Sequence, residues 1–486
     1  MIEIYVLLAS LGWVSTREIG DEKQLFIDRS LIEEAENVTF AVNRPLKTGD
    51  RCIVAEYPWE GHRVGPYNTV LKDGEGFRMW YDAIASDGSR WLAYAESKDG
   101  IHWVKPMLGL VPFGEIEETN ILFPPQRSPF EPGCVFIDTN PNCPPEERYK
   151  LVCSYRPPDG ERGTWVFASP DGLRWHPISD KPSFRSSDTN NICFFDDRID
   201  RYVAYVRVWA PQRKVGRCEF DDLTDWGREE IVFSYDDEDR MGLDPGLFTG
   251  MDFYNSAAVK YPEARNVYLI FPTAYYHYRP EVAMTLGAPK GKAGNDGPME
   301  IHFAASPDGI RWTRFDRRPF IPIGKTGGWD GGITFSCPAL IVHGDEVWIY
   351  YSAYDFTHGN YDFKRDRFKG VITRAVLRLD GFVSVEADHR GGEIITSPLL
   401  LKGGVLSVNL KTTAGGHLRV EIQNMNGEPI PGFSADECDP INGDYISRDV
   451  TWHGSSDVSS LTGRNVKLRF IMRDAKLFAF RFHNPM

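Results

Sequence analysis

Ser97-Lys98-Asp99-Gly100-Ile101-His102-Trp103, Ser169-Pro170-Asp171-Gly172-Leu173-Arg174-Trp175 and Ser306-Pro307-Asp308-Gly309-Ile310-Arg311-Trp312 are three copies of one string. Each closes a run of apolar residues, Trp91–Ala95, Thr164–Ala168 and Ile301–Ala305. A strand, a turn and an anchoring Trp that recur together make a repeated β unit, and an internal repeat sets the fold class. The tryptophans stand 72 and then 137 residues apart, so one degenerate copy belongs in the longer gap. Glu219–Trp226 fits it, and Val376–Phe382, with Asp380-Gly381, supplies a fifth ending. The expectation is an all-β chain: a five-bladed β-propeller followed by a C-terminal β-sandwich.

Each unit opens on a readable hairpin. Tyr67–Leu71 is predicted to pair with Phe77–Tyr81 across a Gly-rich turn, and Cys134–Asp138 with Tyr149–Cys153. Ile192–Phe195 should pair with Tyr202–Val206, Ala257–Tyr261 with Val267–Phe271, and Ala339–His343 with Val347–Tyr351. An insertion at about Tyr275–Gly297 reads as a loop that could rim the centre. The expected boundaries are a leader or disordered start at 1–20, the propeller over 21–385, and an accessory sandwich over 386–486, where the Trp string is lost.

The chain has 486 residues, 26% of them charged, and a formal net charge of −14. That balance argues against nucleic acid or an anionic membrane as partner. A polyanionic substrate would need a local basic pocket that the sequence does not advertise. Aromatics reach 13%, which suits both strands and surfaces that stack on sugars. The eight cysteines form no CxxC pair and no zinc spacing; Cys134, Cys153 and Cys193 sit in strand patterns as buried thiols. Ile4–Val14 reads as a signal-peptide core without a basic segment before it, so a secreted or periplasmic location is expected, with the cytoplasm as alternative.

In a propeller, residues just before each first strand face the central mouth. Those positions hold Glu60, Glu131, Asp188, Asp252 and Asp330. Crowded carboxylates cannot all ionise cheaply, so at least one is held protonated beside an ionised neighbour, the pairing that glycosidic cleavage uses. Trp59, Tyr67, Tyr254 and Trp329 offer faces for a sugar ring, and Asn68, Asn191 and Asn255 offer amides for its hydroxyls. Arg207 could orient a carboxylate, and His62, His277 and His358 lie in loops near the mouth. The sequence contains no P-loop, no HExxH and no dinucleotide fingerprint.

On the blade count, the Ser-x-Asp-Gly-x-x-Trp turns and these acids, residues 50 to 385 resemble the five-bladed propeller glycoside hydrolases. That group holds the invertases and fructanases of family 32 and the arabinofuranosidases and xylosidases of family 43. The resemblance implies an exo-acting hydrolase with three carboxylates from the first three blades, and an accessory sandwich behind them. The chain departs from the invertase pattern: the Trp-Met-Asn-Asp-Pro-Asn-Gly, Arg-Asp-Pro and Glu-Cys strings are not intact. Some relatives carry calcium on the axis, which nothing in these residues specifies, so no cofactor is expected.

The expected activity is removal of a terminal, furanosidic sugar from a carbohydrate substrate. Asp188, Glu60 and Glu131 are the expected catalytic carboxylates. Asp252, Asp330, Trp59, Arg63, Tyr67, Asn68, Asn191, Arg207, Tyr254, Asn255 and His358 are expected at the substrate. Two rivals use the same scaffold: a phosphorylase with a phosphate cradle from His62, Arg63 and Arg207, and a non-catalytic carbohydrate-binding propeller. Oligomeric state is not readable from the sequence.

Overall fold

The computed structural model describes residues 17–61, 63–124, 129–185, 188–360 and 370–484. The chain divides into two compact units, Val42–Leu379 and a second made from residues 1–41 with 380–486. The expected propeller start near residue 21 is therefore corrected. Gln24–Leu25 and Ile32–Glu36 pair with the C-terminal strands Asn465–His483 and Gly392–Thr396 instead of with the repeats. The expected start at 1–20 lies largely outside the described residues.

The second unit is built on two 19-residue strands, Val405–Gln423 and Asn465–His483, which run antiparallel with Leu406 opposite Phe482 and Ile422 opposite Leu468. Alternate apolar side chains (Leu418, Val420 and Ile422 against Leu468, Phe470 and Met472) fill its core. Its strands are all hydrogen-bonded into one ten-stranded sheet, so the two separate sheets of the expected sandwich are not resolved.

The repeat unit is mostly strand; the described residues hold two α-helices, Asp237–Met241 and Pro280–Thr285. Three sheets have four strands each, starting on Arg63–Asp73, Phe130–Ile137 and Ile192–Asp196. All five hairpins read from the sequence form in the expected places: Leu71 opposite Arg78, Val135 opposite Leu151, Ile192 opposite Tyr205, Ala258 opposite Ile270, and Leu340 opposite Ile349.

Among the described residues, five separate four-stranded blades do not result. The fourth repeat is broken between Phe253 and Ala258, where Ala257 takes a positive φ of 43°. Its outer part is left as a three-stranded sheet of Ala258–Lys260, Tyr268–Ile270 and Ala304–Ser306. Its inner part, Phe248–Phe253, Thr273–Tyr278 and Met299–Ile301, fuses with the last repeat through the parallel pair Met299 and Ile333, giving eight strands. Four sheets of at least four strands make a propeller-like array. The expected insertion is shorter than read: Tyr275–Tyr278 belongs to a strand, and Pro280–Thr285 is helical. The first strands pack side by side, Arg63–Asp73 against both Phe130–Ile137 and Ile333–His343.

The repeated string explains how neighbouring sheets hold together. Ser97, Ser169 and Ser306 Oγ accept from the N–H of Gly100, Gly172 and Gly309 at 2.8–2.9 Å. Asp99, Asp171 and Asp308 each accept two further backbone N–H groups. The glycines take φ of 70°, 73° and 74°. Each glycine carbonyl then accepts from the adjacent sheet: Tyr350 Oη to Gly100 at 2.7 Å, Trp80 Nε1 to Gly172 at 2.7 Å, and Tyr205 Oη to Gly309 at 2.8 Å. Trp103 and Trp312 set their rings edge-on to the same Tyr350 and Tyr205.

A β-carbon at Gly172 would fall 2.7 Å from Trp80 Cζ2, whereas one at Gly74 (φ 62°) meets nothing within 4 Å. Gly172→Ala is expected to destabilise the repeat unit by about 2–4 kcal/mol, the left-handed penalty plus overpacking, against about 1 kcal/mol for Gly74→Ala. Urea unfolding followed by Trp fluorescence measures both; equal losses would contradict the docking role of Gly172.

Candidate active site

Bulges in the first strands shape the centre of the repeat unit. In Arg63–Asp73, Val64 pairs with Ala83 and Asn68 with Tyr81, leaving Gly65-Pro66-Tyr67 opposite Asp82 alone. A similar shift follows Pro132 in Phe130–Ile137 and Ser336 in Ile333–His343. Bulges bend a strand and re-aim its side chains. Here they flank an open cavity of about 160 Å³, walled by Arg63, Tyr67, Arg90, Tyr254, Phe356 and His358 among others. That is below the roughly 300–1,000 Å³ of drug-sized sites, which suits the end of a ligand better than its middle.

Charges converge on this wall. Asp82, fully buried, accepts a bidentate pair from Arg90. Gly65 leaves room for this, since a β-carbon there would fall on the Asp82 carboxylate. Arg90 also lies 3.4 Å from Glu131 Oε1. Burial pushes the Glu131 carboxyl above its ordinary range; Arg90 opposes the rise, and the charge of Asp188 adds to it. Glu131 Oε2 is buried without a hydrogen-bond partner. Asp188, with its side chain 57% exposed, pairs with Arg207, whose guanidinium is buried and donates twice to the Tyr254 carbonyl. Tyr67 ties the two sides: its ring carries Arg90 at 5.0 Å, and its hydroxyl points to the Asp188 carbonyl at 3.4 Å.

On the opposite wall, burial pushes His358 down to about 4, so the imidazole is neutral at physiological pH. It contacts Tyr275 Oη at 3.2 Å and the Asn295 carbonyl at 3.1 Å. Behind Tyr254, Asp252 pairs with Arg213 at 3.1 Å and His277 at 3.4 Å. Burial pushes Asp252 upward, but His277 and Arg213 outweigh it and hold the carboxyl low.

Of the expected catalytic acids, Glu131 and Asp188 are brought together and Glu60 is not. Glu60 is fully buried in the 3-10 turn Pro58–Glu60. It accepts from Tyr81 Oη at 2.6 Å, from the N–H of Glu56 and Tyr57, and from Lys105 at 2.8 Å. These partners make it a framework carboxylate. Trp59 is core as well: it stacks on Tyr57 and donates to Asn120 Oδ1 at 2.8 Å. Asp330 is committed to Lys47 at 2.7 Å, and neither it nor Trp329 walls the cavity.

Asn68 and Asn255 are buried tie-points between strands, donating to Ser352 Oγ and to the Ser336 carbonyl. Asn191 donates to Thr164 Oγ1, while its Oδ1 and both amide atoms of Asn190 have no protein partner. Asp252 stands behind Tyr254 rather than in the wall. Arg63, Tyr67, Tyr254 and His358 do wall the cavity, and Arg207 stands behind Tyr254. His62 lies outside the described residues. All eight cysteines are free.

Asp82, Arg90, Arg213 and Tyr275 are missed by the sequence reading. One signal was available: Arg90 and Arg213 each open the third strand of a sheet, and Arg162 immediately precedes the third strand of the sheet between them. Another was Asp82 itself, an acid inside the apolar run Trp80–Ile84. Among the described residues no three His, Cys, Asp or Glu side chains gather to hold a metal ion, and no step below uses one.

No known protein family matches the chain, and no curated protein matches it either. Solved structures do. An N-acetylgalactosamine deacetylase from F. plautii, in complex with blood group B trisaccharide, is 16% identical with a TM-score of 0.46, covering 70% of this chain and 96% of that one. A thermostable family-43 glycoside hydrolase is 15% identical with a TM-score of 0.45 over the same shares. An endo-arabinase from Bacteroides thetaiotaomicron is 12% identical with a TM-score of 0.37, over 70% of this chain and 97% of that one.

Glu60 and Glu131 should respond differently to neutralisation. Glu60→Gln removes one partner of the buried Lys105 pair and is expected to cost about 3–5 kcal/mol at pH 7. Glu131 has a raised folded pKa, so its stabilising protonated form is lost as pH rises through that value. Glu131→Gln should therefore leave stability at pH 7 unchanged or higher. Denaturant midpoints at pH 5 and 7 measure both; a large loss for Glu131→Gln would move it into the framework class.

Proposed function

We propose that this protein is a glycoside hydrolase that removes a terminal sugar from an oligo- or polysaccharide. The observation that carries this reading is the meeting of Glu131, its carboxyl pushed toward the protonated form, with Asp188, held by Arg207, beside an aromatic-walled cavity. Glu131 is suited to protonate the leaving oxygen as general acid. Asp188 is the exposed carboxylate that faces the developing positive charge of an oxocarbenium-like centre, as nucleophile or as base toward water. Asp82 acts through Arg90 and is a positioning residue. Tyr67, Tyr254 and Phe356 supply the ring faces around the sugar. A furanosidic ring is the expectation carried by the resemblance to the invertase and arabinofuranosidase group, and a secreted or periplasmic site of action belongs to the same proposal.

One observation favours a second reading, a phosphorylase. Arg63 and Arg90 both wall the cavity, as a phosphate cradle would require. Arg207, expected in that cradle, is instead taken by Asp188 and the Tyr254 carbonyl.

The experiment is a glycoside screen with and without inorganic phosphate, followed by the two acid variants. Asp188→Asn is expected to lose at least about 10²-fold in turnover. Glu131→Gln should lose as much on substrates with poor leaving groups and much less on activated aryl glycosides. It should also abolish the fall in rate above the Glu131 pKa, because that limb reports loss of the protonated acid. Unchanged turnover in both variants retires the pair; strict dependence on phosphate retires hydrolysis in favour of phosphorolysis.

A further inference from the structure

Among the described Trp, Tyr and Phe residues one alone is exposed: Trp209, at 59%. A single exposed apolar side chain is ordinary in itself, so the place of this one is what counts. Trp209 ends the strand Arg201–Trp209, two positions beyond Arg207. Side chains two apart on a strand share a face and stand about 7 Å from each other. Arg207 is buried and holds Asp188, so along this face the strand leads from the anchor of that acid outward to the indole. Across the hairpin Trp209 pairs with Arg213, whose guanidinium lies over the indole at 4.6 Å. Arg213 is fastened by Asp252 at 3.1 Å and also lies over Tyr254 at 5.0 Å, the ring that Arg207 covers at 4.3 Å. Tyr254 walls the cavity. Stacked groups thus run from the cavity wall to solvent in the order Tyr254, Arg213, Trp209.

The cavity is open, holds about 160 Å³ and does not include Trp209 in its wall. Whatever follows a terminal sugar held there lies outside, at the mouth. Resting on the sugar-cleaving reading above, we propose that the second sugar residue of an oligosaccharide stacks on Trp209. The C–H face of a sugar ring fits the electron-rich face of an indole, while the hydroxyls at its edge stay in water. Arg213 covers one face of the indole, and the exposure of the ring leaves the opposite face for the sugar. Because the guanidinium fixes the plane of the ring beforehand, little rotamer freedom is lost when the sugar arrives. The two sugars are then read by different means, the first by enclosure and the second by one flat contact. A flat contact selects for the presence of a ring more than for its hydroxyl pattern.

The test is calorimetric titration of the full-length protein with S-linked disaccharides of arabinofuranose, xylose and galactose, which resist cleavage, and with the matching methyl thioglycosides. In at least one series the disaccharide should bind at least about 10-fold more tightly than its methyl thioglycoside. Trp209→Ala should remove most of that margin, and Trp209→Phe should keep part of it. Should a variant not fold, limited N-bromosuccinimide treatment of the unmodified protein gives a second readout. Peptide mapping should then find Trp209 oxidised early, and the disaccharide should slow that oxidation more than the methyl thioglycoside does. Equal affinities in every series, a margin that survives Trp209→Ala, no binding by any member, or oxidation of Trp209 that the disaccharide does not slow would overturn the inference. A margin that depends on Trp209, in a protein that cleaves none of the O-linked counterparts, keeps this inference and retires the hydrolase. Cleavage without any such margin does the reverse.

Discussion

A hydroxyl or indole N–H of one sheet donating to the carbonyl of a left-handed glycine in the next sheet's turn is the contact on which the repeat unit depends. Each turn satisfies itself first, through its Ser and Asp side chains, so its shape does not wait for a partner. The glycine then does two things at once. It takes the backbone conformation the turn requires, and it lets a ring approach where a β-carbon would stand. A local sequence pattern thus becomes a long-range connector, repeated at Gly100, Gly172 and Gly309. With neighbouring sheets set in this way, their first strands come side by side, and the bulges in those strands open the space in which the arginines and acids meet.

Burial alone does not tell a well-partnered acid from a poorly partnered one here; the partners do. Glu60 and Asp252 are as buried as any carboxylate in the unit, and each faces enough donors to offset its desolvation. Glu131 has one guanidinium at 3.4 Å, two neighbouring acids and an oxygen with no partner. Its proton is the cheapest way to settle that imbalance, which is the property a proton donor needs. Asp188 is the opposite case: exposed, yet fixed in direction by Arg207, which is itself anchored by a main-chain carbonyl.

The repeated string, the five hairpins and the role of its Asp and Gly as turn residues were legible because they depend on local chemistry and on period-two patterning. The fusion of the last two repeats was not, since it turns on a break at Ala257 and a single parallel pair between Met299 and Ile333. The pairing of residues 24–36 with the far end of the chain was invisible for the same reason: register between distant strands leaves little trace in either one. In the site, position relative to each first strand points to Glu131 and Asp188, which the fold brings near one another. It also proposed Glu60 and Asp330, because a carboxylate at a mouth and a carboxylate capping a turn look alike until Tyr81, Lys105 and Lys47 are placed. Arg90 leaves no such signal at a first strand, because the arginines near the acids come from the start of third strands.

The bulge at Gly65 has a consequence for how this chain could change over time. The hydrogen at that α-carbon is all that separates the backbone from the Asp82 carboxylate, so even one methyl group there would evict the acid from its seat. Arg90 would then lose its main counterweight, and the electrostatic character of the whole chamber would alter without any change to a residue that walls it. A single-codon alteration at a position with no side chain is thus a tuning point for the charge of that chamber, and descendants that keep the Asp82–Arg90 pair have no freedom there.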